Sequence, residues 1–206
     1  MKAVILYDSM SKGGSTESAI NSIGMKLAEE GLYVEKAKCK ANADYSFVRD
    51  FDIILLGAPV YYFVVASQLL GALVQGNLKK NLKRKKIALF LICGTPGTMA
   101  AVLYLPQLKI NLVGNRILAE KIFSPAMLTT EDAIDDFVYD VLEEYDRAMR
   151  SRTKLQWTED AQELLETLPP FMQGGIRGLV EDFAEEYGYK TITREIVEQA
   201  RSEQGK

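Results

Sequence analysis

The sequence predicts an α/β fold: a doubly wound, five-stranded parallel sheet with helices on both faces, followed by a small helical module. Three observations carry this. The apolar run Ala3 to Tyr7 has strand length and β-branched character, and a helical pattern with Ala19, Ile20, Ile23 and Leu27 on one face follows it after a short loop. The runs Ile53 to Leu56 and Ile87 to Ile92 are wholly apolar, as central strands covered on both sides must be. Strand and helix patterns then alternate to about residue 149, which implies right-handed crossovers between parallel strands.

In order, Leu32 to Ala37 alternates as a second strand, and Asp44 to Asp52 is polar and turn-like. The third strand ends in the loop Gly57-Ala58-Pro59-Val60-Tyr61-Tyr62-Phe63. Helical spacing resumes at Leu69, Leu70, Leu73 and Val74. The basic run Lys79 to Lys86 reads as a solvated turn, with an acidic docking partner as the sharper alternative. The fourth strand ends in Cys93-Gly94-Thr95-Pro96-Gly97, and a helix starts near Thr98. A fifth strand is expected over Ile117 to Ile122, and a closing helix over Glu131 to Met149 with Ile134, Val138, Val141, Leu142 and Tyr145 inward. The strand order 2-1-3-4-5 brings the ends of strands one, three and four together, where open α/β sheets bind ligands.

Composition bounds the function. The 206 residues are 48% apolar and 26% charged, enough for one full domain and an addition. No run approaches the ~20 apolar residues of a membrane span. The chain enters a strand at once, with no signal peptide expected ahead of it. A net charge of −3 argues against nucleic acid as partner. There is no histidine, which removes His-dependent triads. Cys39 and Cys93 have no metal-ligand spacing, so a reducing cytoplasm fits.

The loop between the first strand and helix contains Ser9, Ser11, Lys12, Gly13, Gly14, Ser15 and Thr16. Hydroxyls, two glycines and a helix start present donors to an anion at the positive end of a helix dipole. Neither the G-x-G-x-x-G nor the Walker pattern is present. Tyr7, Ser9, Gly13, Ser15, Ala19 and Ile20 resemble the signature of the flavodoxin family, with one extra residue between Ser9 and Gly13 and an unusual Lys12. The resemblance covers residues 1 to about 150. It implies a flavodoxin-like fold with FMN as cofactor: its phosphate on Ser9 to Thr16, and its ring flanked by Pro59, Val60, Tyr61, Tyr62 and Phe63 and by Gly94, Thr95, Pro96 and Gly97. Free electron shuttles of that family tend to be strongly acidic. Residues 1–150 carry a net charge of +1, which points to a dedicated redox partner or an enzyme role. Cys93 is either a redox thiol near that site or a small buried residue.

Residues 151–206 form the second expected domain. Thr158 is a candidate N-cap, and Ala161, Leu164, Leu165 and Leu168 make one face. Pro169 and Pro170 break the helix; Ile176, Leu179, Val180, Phe183, Ala184 and Tyr187 resume it, with Gly188 as C-cap. Thr193 caps a last helix, with Ile192 packing on Val197. Three such helices bury little alone and are expected to dock on the first domain, on a second copy as a homodimer, or on a partner. Trp157, Ala161, Leu165, Pro169, Pro170, Phe171, Glu181, Ala184, Gly188, Ile192 and Thr193 resemble the small C-terminal domain of the light-independent protochlorophyllide reductase family. Gln173 stands where that family often has arginine, and the iron–sulfur ligands of its reductase subunits are missing. The resemblance implies attachment to a redox system.

Together these readings give an FMN-binding redox protein exchanging electrons with a protein partner. The alternatives are an NAD(P)H-dependent flavin or quinone oxidoreductase with a nicotinamide donor, and a cofactor-free assembly subunit on the same fold.

Overall fold

A strand that is apolar at every position must bury alternate side chains on opposite faces, and the central strands do so. The computed structural model describes all residues except 10–12, 95–96, 153–154 and 205–206. It divides into two compact units, Met1–Tyr145 and Asp146–Lys206.

The strands of the first unit are β1 (Lys2–Tyr7), β2 (Tyr33–Lys38), β3 (Ile53–Tyr61), β4 (Val64–Val65), β5 (Lys86–Ile92) and β6 (Arg116–Phe123). All but β4 pair in parallel, in the order β2-β1-β3-β5-β6. This is the expected 2-1-3-4-5 arrangement. The helices are α1 (Ser15–Glu29), α2 (Ser67–Val74), α3 (Leu78–Leu82), α4 (Gly97–Leu103), α5 (Leu105–Lys109) and α6 (Asp132–Arg152), the last of which continues into the second unit. Val4, Leu6, Ile54 and Leu56 share one buried cluster with Leu69 and Leu73 of α2, Leu82 of α3 and Leu108 of α5. Ala3, Ile5, Ile53 and Leu55 face the other way, toward Ile20, Ile23 and Leu27 of α1 and Phe137, Val138 and Val141 of α6. Each buried aliphatic or aromatic side chain contributes about 1.5–3 kcal/mol relative to exposure, so the two layers are the main source of stability.

Four local expectations are corrected. The third strand does not stop at Leu56. It runs on through Pro59 to Tyr61 and turns back into β4, pairing Val60 with Val65 and Tyr61 with Val64. β1 pairs with β3 only as far as Gly57, and beyond it Pro59 takes part in the hairpin as an acceptor, its carbonyl receiving the Ala66 N–H at 3.0 Å, so its missing N–H breaks no bond to β1. The stretch 44–52 is not merely polar: a 3₁₀ turn, Ser46–Asp50, lies between the buried Tyr45 and Phe51 and buries Val48. The basic run is not a solvated turn throughout. Part of it is α3, Lys86 is buried, and the half-buried Lys85 Nζ donates to the carbonyls of Arg49 at 2.6 Å and Phe51 at 2.9 Å. Burial pushes the Lys85 ammonium below its usual range, and the nearby Asp52 and Asp50 oppose that. Finally, α5 is a helix that the sequence pattern does not predict.

The second unit contains β7 (Gln156–Trp157), α7 (Glu159–Glu166), α8 (Pro170–Glu186), β8 (Thr191–Ile192) and α9 (Arg194–Gln204). Its core is Ala161, Val180, Phe183, Ala184, Ile192, Ile196, Val197 and Ala200. Parallel pairing of β7 with β8 is not legible from so short a pair. The double proline separates α7 from α8 as expected. Gly188 takes φ +72°; its N–H donates to the Glu185 carbonyl and that of Tyr189 to the Ala184 carbonyl, the paired hydrogen bonds of a Schellman cap. Thr158 occupies the N-cap position, but its hydroxyl donates to the Ile192 carbonyl at 3.1 Å and makes no cap bond.

Candidate functional site

The register sets the site. Tyr7 lies beside Gly57, Gly57 beside Phe90, and Pro59 beside Ile92, so the carboxyl ends of β1, β3 and β5 are immediate neighbours. Each runs directly into one of the three segments singled out in the sequence. Ser11, Lys12, Thr95 and Pro96 lie outside the described residues, so the remaining members define the three segments.

After β1, the Asp8 N–H donates to the Gly57 carbonyl at 3.0 Å, and Asp8 and Ser9 are both buried. Asp8 does not stand out in the sequence. Its Oδ2 accepts the Gln68 N–H at 2.9 Å, satisfying a free donor in the first turn of α2. Gly13 takes φ +75°, a conformation that favours glycine, and a Cβ there would meet nothing. Gly14 is the N-cap of α1, with no side chain bonded across the cap. Ser15 is exposed and Thr16 buried. Glu17, equally inconspicuous in the sequence, folds back so that its Oε2 accepts the Gly13 N–H at 2.7 Å. An acid in the first turn of a helix is the signal that could have found it.

The second segment is a hairpin tip rather than an open loop. Tyr62 (φ 49°) and Phe63 (φ 66°) are both left-handed, as the two central residues of a type I′ turn must be. Val60 is partly buried, Tyr61 and Phe63 are exposed, and Tyr62 is 97% exposed. In the third segment Gly94 is exposed in open space, and Gly97 begins α4. Cys93 is buried, its N–H donating to the Phe123 carbonyl at 2.9 Å. Neither Cys39 nor Cys93 is in a disulfide, and burial pushes the Cys39 thiol up to about 12. No cluster of three or more His, Cys, Asp or Glu fit for a metal occurs among the described residues.

These residues fit a phosphate-tailed ring in two respects: a glycine-led helix start without a side-chain cap, and aromatic rings left in solvent beside it. They differ in one, since the Glu17 carboxylate takes the Gly13 N–H.

The second unit holds a cavity of about 390 Å³ between α7 and α8, lined by Leu165, Glu166, Pro170, Gln173, Gly174 and Arg177 among others. The Arg177 guanidinium lies 5.0 Å from the Trp157 ring centroid, and Trp157 Nε1 donates to Glu181 Oε1 at 3.3 Å. Gln173, at the position noted for its departure from arginine, donates to the Leu168 carbonyl at 2.9 Å.

A doubly wound, mostly parallel sheet with the strand order β2-β1-β3-β5-β6 defines the class: an α/β protein of flavodoxin-like architecture. Residues 4–131 match the family model described as "Flavodoxin domain", more than half of the chain, and the chain belongs to that family. Residues 157–201 match the model described as "Proto-chlorophyllide reductase 57 kD subunit". Among curated relatives, a subunit of the light-independent protochlorophyllide reductase of Gloeothece citriformis is 24% identical over 99% of this chain. The chain spans 41% of that relative's length. Among solved structures, two-electron reduced Megasphaera elsdenii flavodoxin is 22% identical with a TM-score of 0.53, covering 68% of this chain and 98% of that one. RosB, solved with bound 8-demethyl-8-formylriboflavin-5'-phosphate, is 15% identical with a TM-score of 0.55, covering 73% of this chain and 81% of its own. At these identities the structural likeness speaks for the fold.

Proposed function

We propose that the first unit binds FMN at the carboxyl ends of β1, β3 and β5, and that the protein is a flavin-dependent redox protein serving a protein partner. The observation that carries this is the uncapped N-terminus of α1, led by Gly13 and Gly14, beside a hairpin that leaves aromatic rings in solvent. Ser9, Ser11, Lys12, Gly13, Gly14, Ser15 and Thr16 would hold the phosphate; Pro59 to Phe63 and Gly94 to Gly97 would flank the ring. When bound, FMN supplies one- and two-electron transfer. The chain's own task is to supply N–H and hydroxyl donors to the tail and apolar surface to the ring. The likeness of the second unit to a protochlorophyllide reductase subunit supports a partner within a multi-subunit reductase, and two cysteines outside any disulfide fit a reducing, cytoplasmic setting.

One observation favours a second reading. The Glu17 carboxylate already accepts the Gly13 N–H, which suits a cofactor-free assembly subunit on the same fold. Titration of the full chain with FMN and with riboflavin separates the two. The first reading expects FMN fluorescence to be quenched with saturation, riboflavin to bind more weakly, and Ser15→Ala to weaken FMN. No quenching by either ligand would leave the assembly subunit.

A further inference from the structure

Over residues 159–186 the chain carries eight acidic side chains and one basic one, Arg177. A lone cation among so many carboxylates should pair with one, and Glu181, one helical turn on, is the natural choice. It is otherwise engaged. Glu181 Oε1 accepts the Trp157 Nε1–H at 3.3 Å, and the guanidinium lies over the indole instead, 5.0 Å from the ring centroid. Stacking uses the face of a guanidinium and leaves its N–H edge open. Arg177 lines the cavity of about 390 Å³ between α7 and α8, and so does Glu166 of α7. Among the described residues neither is in an ion pair, with the other or with any third group. Gln173 adds an acceptor: its Nε2 donates to the Leu168 carbonyl at 2.9 Å, which fixes the amide, and its Oε1 has no partner among the described residues. Leu165, Pro170 and Gly174 supply the apolar part of the lining. A Cβ on Gly174 would meet nothing, so the space beside it is open.

We propose that this cavity binds a free α-amino acid with an apolar side chain. The ligand carboxylate takes the planar fork of Arg177 through two N–H groups. Its ammonium donates to the Glu166 carboxylate and to Gln173 Oε1. Its side chain rests on Leu165 and Pro170, in the space left at Gly174. A zwitterion answers both of the unpaired charges. An uncharged apolar ligand answers neither, and a simple carboxylic acid leaves Glu166 facing a second carboxylate. A phosphate ester would bring two negative charges to a helix pair that already carries eight acids. The volume lies at the small end of ligand pockets, roughly 300–1,000 Å³, which suits a single amino acid better than a nucleotide. Glycine also weakens a helix relative to alanine, and no neighbour requires one at position 174; room for a ligand does. The inference lies wholly in the second unit and does not depend on a bound flavin.

The test is titration of the full chain with L-leucine and with L-phenylalanine, followed by calorimetry and by the fluorescence of Trp157, the only tryptophan. Saturable binding of at least one is expected. Affinity should fall by on the order of tenfold or more for its N-acetyl derivative, which lacks the ammonium, and for its amide, which lacks the carboxylate. Arg177 is exposed, so Arg177→Gln leaves the core of the unit untouched and should weaken binding to the same degree. Gly174→Leu fills the open space with a better helix former; the thermal midpoint should hold or rise while binding is lost. No saturable response to either amino acid would overturn the proposal. So would an N-acetyl derivative or amide that binds as well as its parent, or an Arg177→Gln or Gly174→Leu variant that keeps the wild-type affinity.

Discussion

Gly57 and Phe90 are packed so closely across β3 and β5 that a Cβ on Gly57 would fall 2.0 Å from the ring Cζ. The ring has little room to yield, since it meets Phe123 and Phe137 edge-on at centroid distances of 6.3 and 6.0 Å. Gly57→Ala should therefore destabilise the first unit by about 3 kcal/mol or more, the cost of overpacking a closed core. Gly94→Ala is the control, because a Cβ there meets nothing and no positive φ is involved; its urea midpoint should match the wild type.

Asp8 joins the end of β1 to the start of α2 through the Gln68 N–H. Asp8→Ala removes the acceptor from that helix-start donor at a part-buried site and should cost about 1–2 kcal/mol in urea denaturation. Asp8→Asn keeps an acceptor oxygen and should recover part of the loss.

The strain at Tyr62 and Phe63 has a thermodynamic signature apart from any ligand. Y62N/F63G should raise stability by about 1–2 kcal/mol, read as a higher thermal midpoint, because left-handed conformations cost those residues and not Asn-Gly. An unchanged or lower midpoint would mean that the rings contribute packing that their exposure does not show.

Cys39 makes stability fall at alkaline pH. Burial holds its thiol at about 12, against 9.0 for an ordinary cysteine, and the Tyr45 hydroxyl beside it lowers the value only in part. Below about pH 9 both folded and unfolded chains keep the proton, and Cys39 adds no pH dependence. Between about 9 and 12 only the unfolded chain releases it, so stability drops by about 1.4 kcal/mol per pH unit. Comparing urea midpoints at about pH 8 and about pH 10 should show the drop in the wild type and a smaller one in Cys39→Ala. A residual slope is expected from Tyr45, whose hydroxyl burial also pushes up to about 12.

The parts of the fold that are legible in the sequence are those in which one stretch of chain carries its own signal. Ile53 to Leu56 and Ile87 to Ile92 are apolar at every position, and α1 and α6 have clear apolar faces, so strand order and layers follow. The hairpin escapes notice because Tyr62 and Phe63 carry no turn signal: nothing local says that two aromatics will adopt positive φ. Pro106 disguises α5, where it stands in the first turn and needs no N–H. Lys85 and Lys86 read as solvated because the carbonyls of Arg49 and Phe51 that receive Lys85 are distant in sequence. Asp8 and Glu17 are inconspicuous for related reasons. One acts on an N–H sixty residues away, and the other turns back on the glycine four residues before it.

The flavin reading is tested most directly by the absorbance spectrum of the purified full chain, reconstituted with FMN and freed of unbound ligand. The account expects a yellow protein with a shifted, structured flavin band, and FMN as the species released on denaturation. A colourless protein that retains no FMN would contradict it.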